Sequence, residues 1–118
     1  MRYLCLIYED EKAWQKLSEA EMQKGMAEYN AFTDNIKKNG NYVGGEALQP
    51  TTTAKSVRVR NGKISATDGP YVETKEQLGG YYLINAKDLS DAVQVASRIP
   101  GAKHGTVEVR PIMEFNQP

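Results

Sequence analysis

The sequence predicts an α+β domain in which two helices cover one face of a mainly antiparallel sheet. Three observations predict it. Residues 2–8 carry aliphatic and aromatic side chains on both alternating faces, the pattern of a strand buried on both sides. Met22, Met26, Tyr29, Phe32, Thr33 and Ile36 recur at helical spacing, so one face of a helix is mostly apolar. Asn61-Gly62 sits between two alternating segments and is the favoured pair for a type I′ hairpin turn.

Taken in order, the first strand turns Tyr3, Cys5 and Ile7 one way and Leu4, Leu6 and Tyr8 the other. A short polar link carrying Trp14 leads to Ser18-x-x-Glu21, a capping box. The helix it opens runs roughly five turns to Asn39-Gly40, whose glycine suits a left-handed cap. Tyr42 to Leu48 make a second strand that runs into Gln49-Pro50. In residues 55–67, counting outward from Asn61-Gly62 pairs Arg60 with Lys63, Val59 with Ile64, Arg58 with Ser65 and Val57 with Ala66. Apolar pairs share one face and polar pairs the other, as cross-strand packing demands. Tyr81 to Asn85 form another strand, apolar on both faces. Asp88 caps a second helix with Leu89, Ala92, Val93, Ala96 and Ile99 along one stripe, and Pro100-Gly101 ends it. In the last strand, residues 105–112, Val107 and Val109 point opposite to Thr106, Glu108, Arg110 and Ile112.

With the hairpin at about 55–67 set aside as an insertion, the order is strand-helix-strand-strand-helix-strand. That is the ferredoxin-like βαββαβ plan, here a single domain over residues 1–118. Two helices cover one face of the sheet, yet residues 2–8 and 81–85 are apolar on both. A second copy closing the other face would hide a patch that a monomer rarely tolerates. A homodimer with sheets face to face is therefore expected.

Composition narrows the function. Formal net charge is zero, which argues against nucleic acid or an anionic membrane as partner. No apolar run approaches the ~20 residues that span a bilayer. The apolar start is cut short by Glu9-Asp10-Glu11-Lys12 without a small-residue cleavage site, so it reads as a strand and not a signal core. Cys5 is the sole cysteine, which excludes an internal disulfide and a thiol-rich metal site. A cytoplasmic protein without metal or cofactor is the expectation.

Residues 68–80 form a connection longer than its geometry needs, with Asp68, Glu73, Lys75 and Glu76 charged; crowded loops of this kind often bind ligands. Asp68 starts an Asx-turn, and Thr74-x-x-Gln77 reads as a second capping box opening one helical turn, Lys75 to Leu78. Two readings stand: a well-made turn, or a pocket mouth in which Asp68, Glu73 and Lys75 meet an anionic group. Glu108 and Arg110, two apart on a strand, share a face and form either a structural ion pair or a tuned acid–base group. Tyr8, Tyr81 and Tyr82 are core residues whose hydroxyls can reach a cavity. His104, the only histidine, stands in a loop, solvated or catalytic, and cannot alone build a metal site. Arg58, Arg60 and Lys63 are a solvated hairpin edge. Gly44-Gly45 lies within a strand and lacks phosphate-loop spacing.

Asp68-Gly69-Pro70-Tyr71-Val72-Glu73-Thr74-Lys75-Glu76 resembles the signature of the YCII-related, DGPF-type family of small bacterial proteins, with Tyr71 for the usual Phe and Val72 for the usual Ala. The resemblance extends over Arg2–Tyr8, Gly44–Pro50, Gln77–Ile84 and Gly105–Pro111, and so covers nearly the whole chain. It implies a ferredoxin-like fold pairing as a dimeric α/β barrel. It also implies a possible link to extracytoplasmic sigma factors, beside or fused to which some members are encoded. A His–Asp acid–base pair has been proposed for related proteins; here the sole His104 lies late, and Asp68 is the acid that carries over.

Three functions fit these residues. One is an enzyme acting on a small organic molecule in the barrel cavity, with Asp68 or Glu108 moving a proton and Arg110 and Lys75 holding an anionic substrate beside Glu73, Tyr82, Tyr8 and His104. The second is a binder that uses the same pocket without chemistry. The third is an accessory or partner-binding protein linked to transcription or stress response, working through the hairpin. Fold alone does not choose among them.

Overall fold

A computed structural model describes residues 1–115. Eight-residue strand β1 (Arg2–Glu9) is followed by helix α1 (Glu11–Gln15), helix α2 (Glu19–Lys38) and strand β2 (Tyr42–Ala47). Strands β3 (Lys55–Arg60), β4 (Lys63–Asp68) and β5 (Gln77–Asn85) come next, then helix α3 (Leu89–Ser97) and strand β6 (Thr106–Pro111). The main sheet has the order β2-β5-β1-β6 with every neighbouring pair antiparallel. This α+β arrangement fits the ferredoxin-like fold.

Local chemistry explains the helix starts. Ser18 Oγ accepts from the Glu21 N–H while the Glu21 carboxylate accepts from the Ser18 N–H, so two of the unpaired donors at the start of α2 are satisfied. These bonds also hold the Glu21 carboxyl below its ordinary pKa. Asp88 accepts from the Asp91 N–H in the same way at α3. The short polar link at Trp14 is a helix: Asp10 accepts from the Lys12 N–H and nucleates it.

Tyr3, Cys5 and Ile7 point to the helix side of β1 and are buried with Ile84, Ile36 and Ile99. Full burial of each large aliphatic stabilises the fold by about 1.5–3 kcal/mol. The other face of β1 and β5 carries Leu4, Leu6, Tyr81 and Leu83, all half-buried. Val107 and Val109 pack toward the core, which turns Glu108 and Arg110 to that second face.

Strands β3 and β4 form a separate two-stranded sheet. Arg60 lies opposite Lys63 and Val59 opposite Ile64, the pairs that counting from the turn gives. Asn61 (φ 52°) and Gly62 (φ 75°) both take positive φ, as a type I′ turn requires. The two strands contact each other far more than any other element. The Cα radius of gyration is 16.4 Å, against about 13–14 Å for a compact chain of this length.

One local expectation fails. Lys75 to Leu78 make no helical turn; β5 already begins at Gln77. Gln77 Nε2 donates back to the Thr74 carbonyl at 2.6 Å, and Gln77 Oε1 accepts from the Glu11 N–H at 2.9 Å. The side chain needed for the capping box is thus spent elsewhere, and the Gln77 backbone pairs with Glu9. Long-range ladder bonds outweigh a local helix signal. The second helix is also shorter than expected: α3 ends at Ser97, and Pro100–Lys103 form a 3₁₀ turn.

Candidate functional site

The end of β1 leaves Glu9 on the helix side of the sheet. Asp10 starts α1 immediately afterwards, and this short helix brings Trp14 back so that its indole N–H donates to Glu9 Oε2. Tyr29 of α2 donates to Glu9 Oε1 at 3.3 Å. Glu9 therefore gathers α1 and α2 at the end of β1. Gly101 lies beneath this junction. A Cβ there would stand 2.7 Å from the Tyr29 hydroxyl and 2.9 Å from Ile7 Cγ2, besides striking the Glu9 carboxylate.

A cavity of about 740 Å³ opens between α2 and the strands β2 and β5. Met22, Met26, Tyr29 and Thr33 look into it from α2, one helical face at spacings of three and four. The opposite wall is low because Gly45 and Gly80 stand where the sheet would otherwise send side chains toward the helix. Both are sterically obligatory: a Cβ on Gly80 would lie 2.9 Å from the Glu46 carbonyl oxygen, and one on Gly45 2.8 Å from that of Tyr81. Tyr82 closes the inner end. Its hydroxyl is 2.7 Å from Thr33 Oγ1, and its ring meets Phe32 edge-on with centroids 5.1 Å apart.

The rim is braced by polar bonds. Glu11 accepts from the Thr51 N–H at 2.7 Å and from the Thr51 hydroxyl at 2.8 Å, fixing the 3₁₀ turn Thr51–Thr53 beside α1. Gln77, bonded to Glu11, borders this cavity and a smaller one of about 270 Å³. The smaller cavity lies against Thr51, Gly69, Pro70, Glu73 and Thr74.

Burial pushes the Tyr29 hydroxyl well above the ordinary tyrosine pKa, and the Glu9 carboxylate adds to the shift; the Gly101 backbone N–H opposes it. Burial likewise raises Tyr82, partly offset by its bond to Thr33. Both are proton donors at neutral pH. Cys5 is buried and its thiol is raised to about 11 by desolvation, so it is no nucleophile. Among the described residues no group of three His, Cys, Asp or Glu side chains could hold a metal ion, and no helix is long and apolar enough to cross a membrane.

The residues singled out from the sequence fall in five places. Tyr82 and Tyr81 line the large cavity. Glu108 and Arg110 pair with each other on the opposite face of the sheet, where Tyr8 also points. Asp68 ends β4, largely exposed, and pairs with Lys55 across the hairpin. Glu73 borders the smaller cavity, and Lys75 is exposed in the same loop. His104 is exposed at the end of the Pro100–Lys103 turn. Glu9, Trp14 and Tyr29 were missed as a site, and so were Gly45 and Gly80. The available signal was the pair of glycines on neighbouring strands, which removes side chains where a long helix must pack.

Residues 1–116 match the YCII-related domain family. The chain belongs to this family. It is also 35% identical over 114 residues to an uncharacterised protein of Rhizobium meliloti (strain 1021), covering 95% of this chain and 92% of that one. In this YCII-related domain the signature loop is anchored at both ends: Ser56 Oγ donates to the Gly69 carbonyl at 2.8 Å, and Thr106 Oγ1 donates to Glu76 Oε1 at 2.9 Å. The YCII-related signature thus stands between the hairpin and the entrance of β6, beside the smaller cavity and not inside the larger one.

Proposed function

We propose that this YCII-related domain binds a small organic molecule in the cavity between α2 and the sheet, and does so as a homodimer. One observation carries the binding reading: a largely apolar cavity of about 740 Å³ between α2 and the sheet, with Glu9, Thr33 and Gln77 among its polar lining. Ligand sites have this size and this character. Pairing is supported by the half-buried row Leu4, Leu6, Tyr81 and Leu83 on the helix-free face, which a second sheet would cover to close a dimeric barrel.

Acid–base catalysis is a separate proposal, because its residues stand outside this cavity. Glu108 and Arg110 lie on the face that a second copy would cover, and desolvating such a pair is how proton-transfer groups are tuned. Asp68, held by Lys55 at the hairpin root, is the other candidate acid.

Native mass spectrometry of gently purified protein tests the proposal. A dimer carrying added small-molecule mass is expected. An empty dimer would remove the ligand reading, and a monomer would remove the pairing.

A second reading has its own observation. Val57, Val59 and Ile64 are 63, 56 and 77% exposed on one hairpin face, although a lone hairpin is at best marginally stable. A protein partner, in the sigma-factor context that the family resemblance implies, would cover them. Val59→Ser with Ile64→Ser should then abolish capture of that sigma factor; undiminished capture overturns this reading.

A further inference from the structure

The charge of its lining selects a class of ligand for the large cavity, and that assignment rests on the proposal that a small molecule occupies it. The lining includes no Lys, Arg or His. Its carboxylate residues are Glu9, Glu11 and Glu46; both partners of Glu9 are neutral donors, the Trp14 indole and the Tyr29 hydroxyl. Neither cancels its charge. Among the described residues, the ion pairs join Arg2 to Glu114, Lys55 to Asp68, Lys103 to Glu28 and Arg110 to Glu108. Glu9 is in none of them. Each carboxylate oxygen offers two acceptor positions, so Glu9 keeps capacity after bonding Trp14 and Tyr29.

Glu11, also at the rim, is already taken by Thr51 through both oxygens. Lys37 stands against one lining residue, its ammonium 4.9 Å from the centre of the Tyr42 ring, and is occupied there. Trp14, Tyr29 and Tyr82 add aromatic surface to the same cavity. Aromatic faces beside an uncompensated carboxylate attract an ammonium group. They repel an anion, which would also desolvate Glu9 without a counter-charge. We infer that the cavity takes an apolar molecule of aromatic size bearing a protonated amine, the amine seated on Glu9 and the apolar body against α2 and the glycine floor. An anionic ligand, the expectation attached to Arg110 and Lys75, does not suit this site.

Calorimetric titration of the full chain with three naphthalene probes tests this. The probes are 1-naphthylmethylamine, 1-naphthalenemethanol and 1-naphthoate, alike in body and different in charge. The amine should bind at least about tenfold tighter than the alcohol, a factor suited to one charge-assisted hydrogen bond, with the carboxylate weakest. Glu9→Gln should remove the advantage of the amine over the alcohol. Equal binding of amine and alcohol to the unaltered chain would overturn the amine assignment while leaving the cavity a ligand site. Tightest binding by 1-naphthoate would overturn it as well. If no probe binds, both the amine assignment and the underlying binding reading fall. The comparison among probes needs no variant, so a folding defect in Glu9→Gln cannot obscure the result.

Discussion

Tyr29 donates its hydroxyl hydrogen to Glu9 Oε1 across 3.3 Å, joining the middle of α2 to the last residue of β1. Trp14 approaches the same carboxylate from α1, so three elements meet on one side chain. Tyr29→Phe should cost about 1 kcal/mol, the usual net worth of such a bond. Urea denaturation checks it; an unchanged midpoint would show that the bond adds nothing to stability.

Alkaline pH should weaken the fold in two stages. The folded-state pKa of Cys5 is raised from 9.0 to about 11, and that of Tyr29 is raised above 10.0. A raised pKa gives stability that is complete below the unfolded value and is lost as pH climbs toward the folded one. Stability should therefore hold to about pH 9, fall first through Cys5, and fall more steeply above about pH 10 as Tyr29 joins. Thermal midpoints from pH 8 to 11 should show a shallower early fall in Cys5→Ala and a shallower late fall in Tyr29→Phe. Slopes identical to the parent would count against both assignments.

Adjacent glycines on β5 should respond oppositely to the same substitution. In Gly80→Ala the new methyl group would press on the Glu46 carbonyl at 2.9 Å, at a cost of about 1–3 kcal/mol as β2 and β5 are forced apart. In Gly79→Ala it would meet nothing within 4 Å, and stability should stay within about 0.5 kcal/mol of the parent. Equal effects at both positions would contradict the close strand approach.

Thr33 and Tyr82 invite a double-mutant cycle. Their hydroxyls are 2.7 Å apart where α2 crosses β5. Thr33→Val and Tyr82→Phe should couple by about 1 kcal/mol. Strict additivity would mean that the contact carries no energy of its own.

Ser18→Ala should destabilise α2 by about 1 kcal/mol through loss of its N-cap. Thr74→Ala is the contrast. Thr74 caps no helix and its hydroxyl donates only to the Glu76 carbonyl, so helical circular dichroism should be unchanged. A matching loss of helicity in both variants would revive a helix at residue 75.

What could be read from the sequence was what neighbouring residues decide among themselves. The capping box of Ser18 and Glu21, the cap at Asp88 and the turn at Asn61-Gly62 rest on bonds and dihedrals a few residues wide. The two-sided pattern of residues 2–8 marked a strand with apolar side chains on both faces. Gln77 misled because its partners, Glu9 and Glu11, lie far away in the chain, and a capping box is silent about them. The cavity stayed hidden for a different reason. It is made by what Gly45 and Gly80 lack, and its polar residues come from β1, α1, α2, β2 and β5, so no single window of sequence contains it.

The place of β1 in the sheet bears on how the molecule is made. It lies between β5 and β6, so both of its edges wait for strands from the second half of the chain. On the ribosome, residues 2–9 meet α2 early, but the strands that pair with them are made only later. Such segments are where nascent chains aggregate and where chaperones bind. The delay is set by sheet order alone, and a circular permutation placing β1 directly after β6 would shorten it without altering one native contact along the strand.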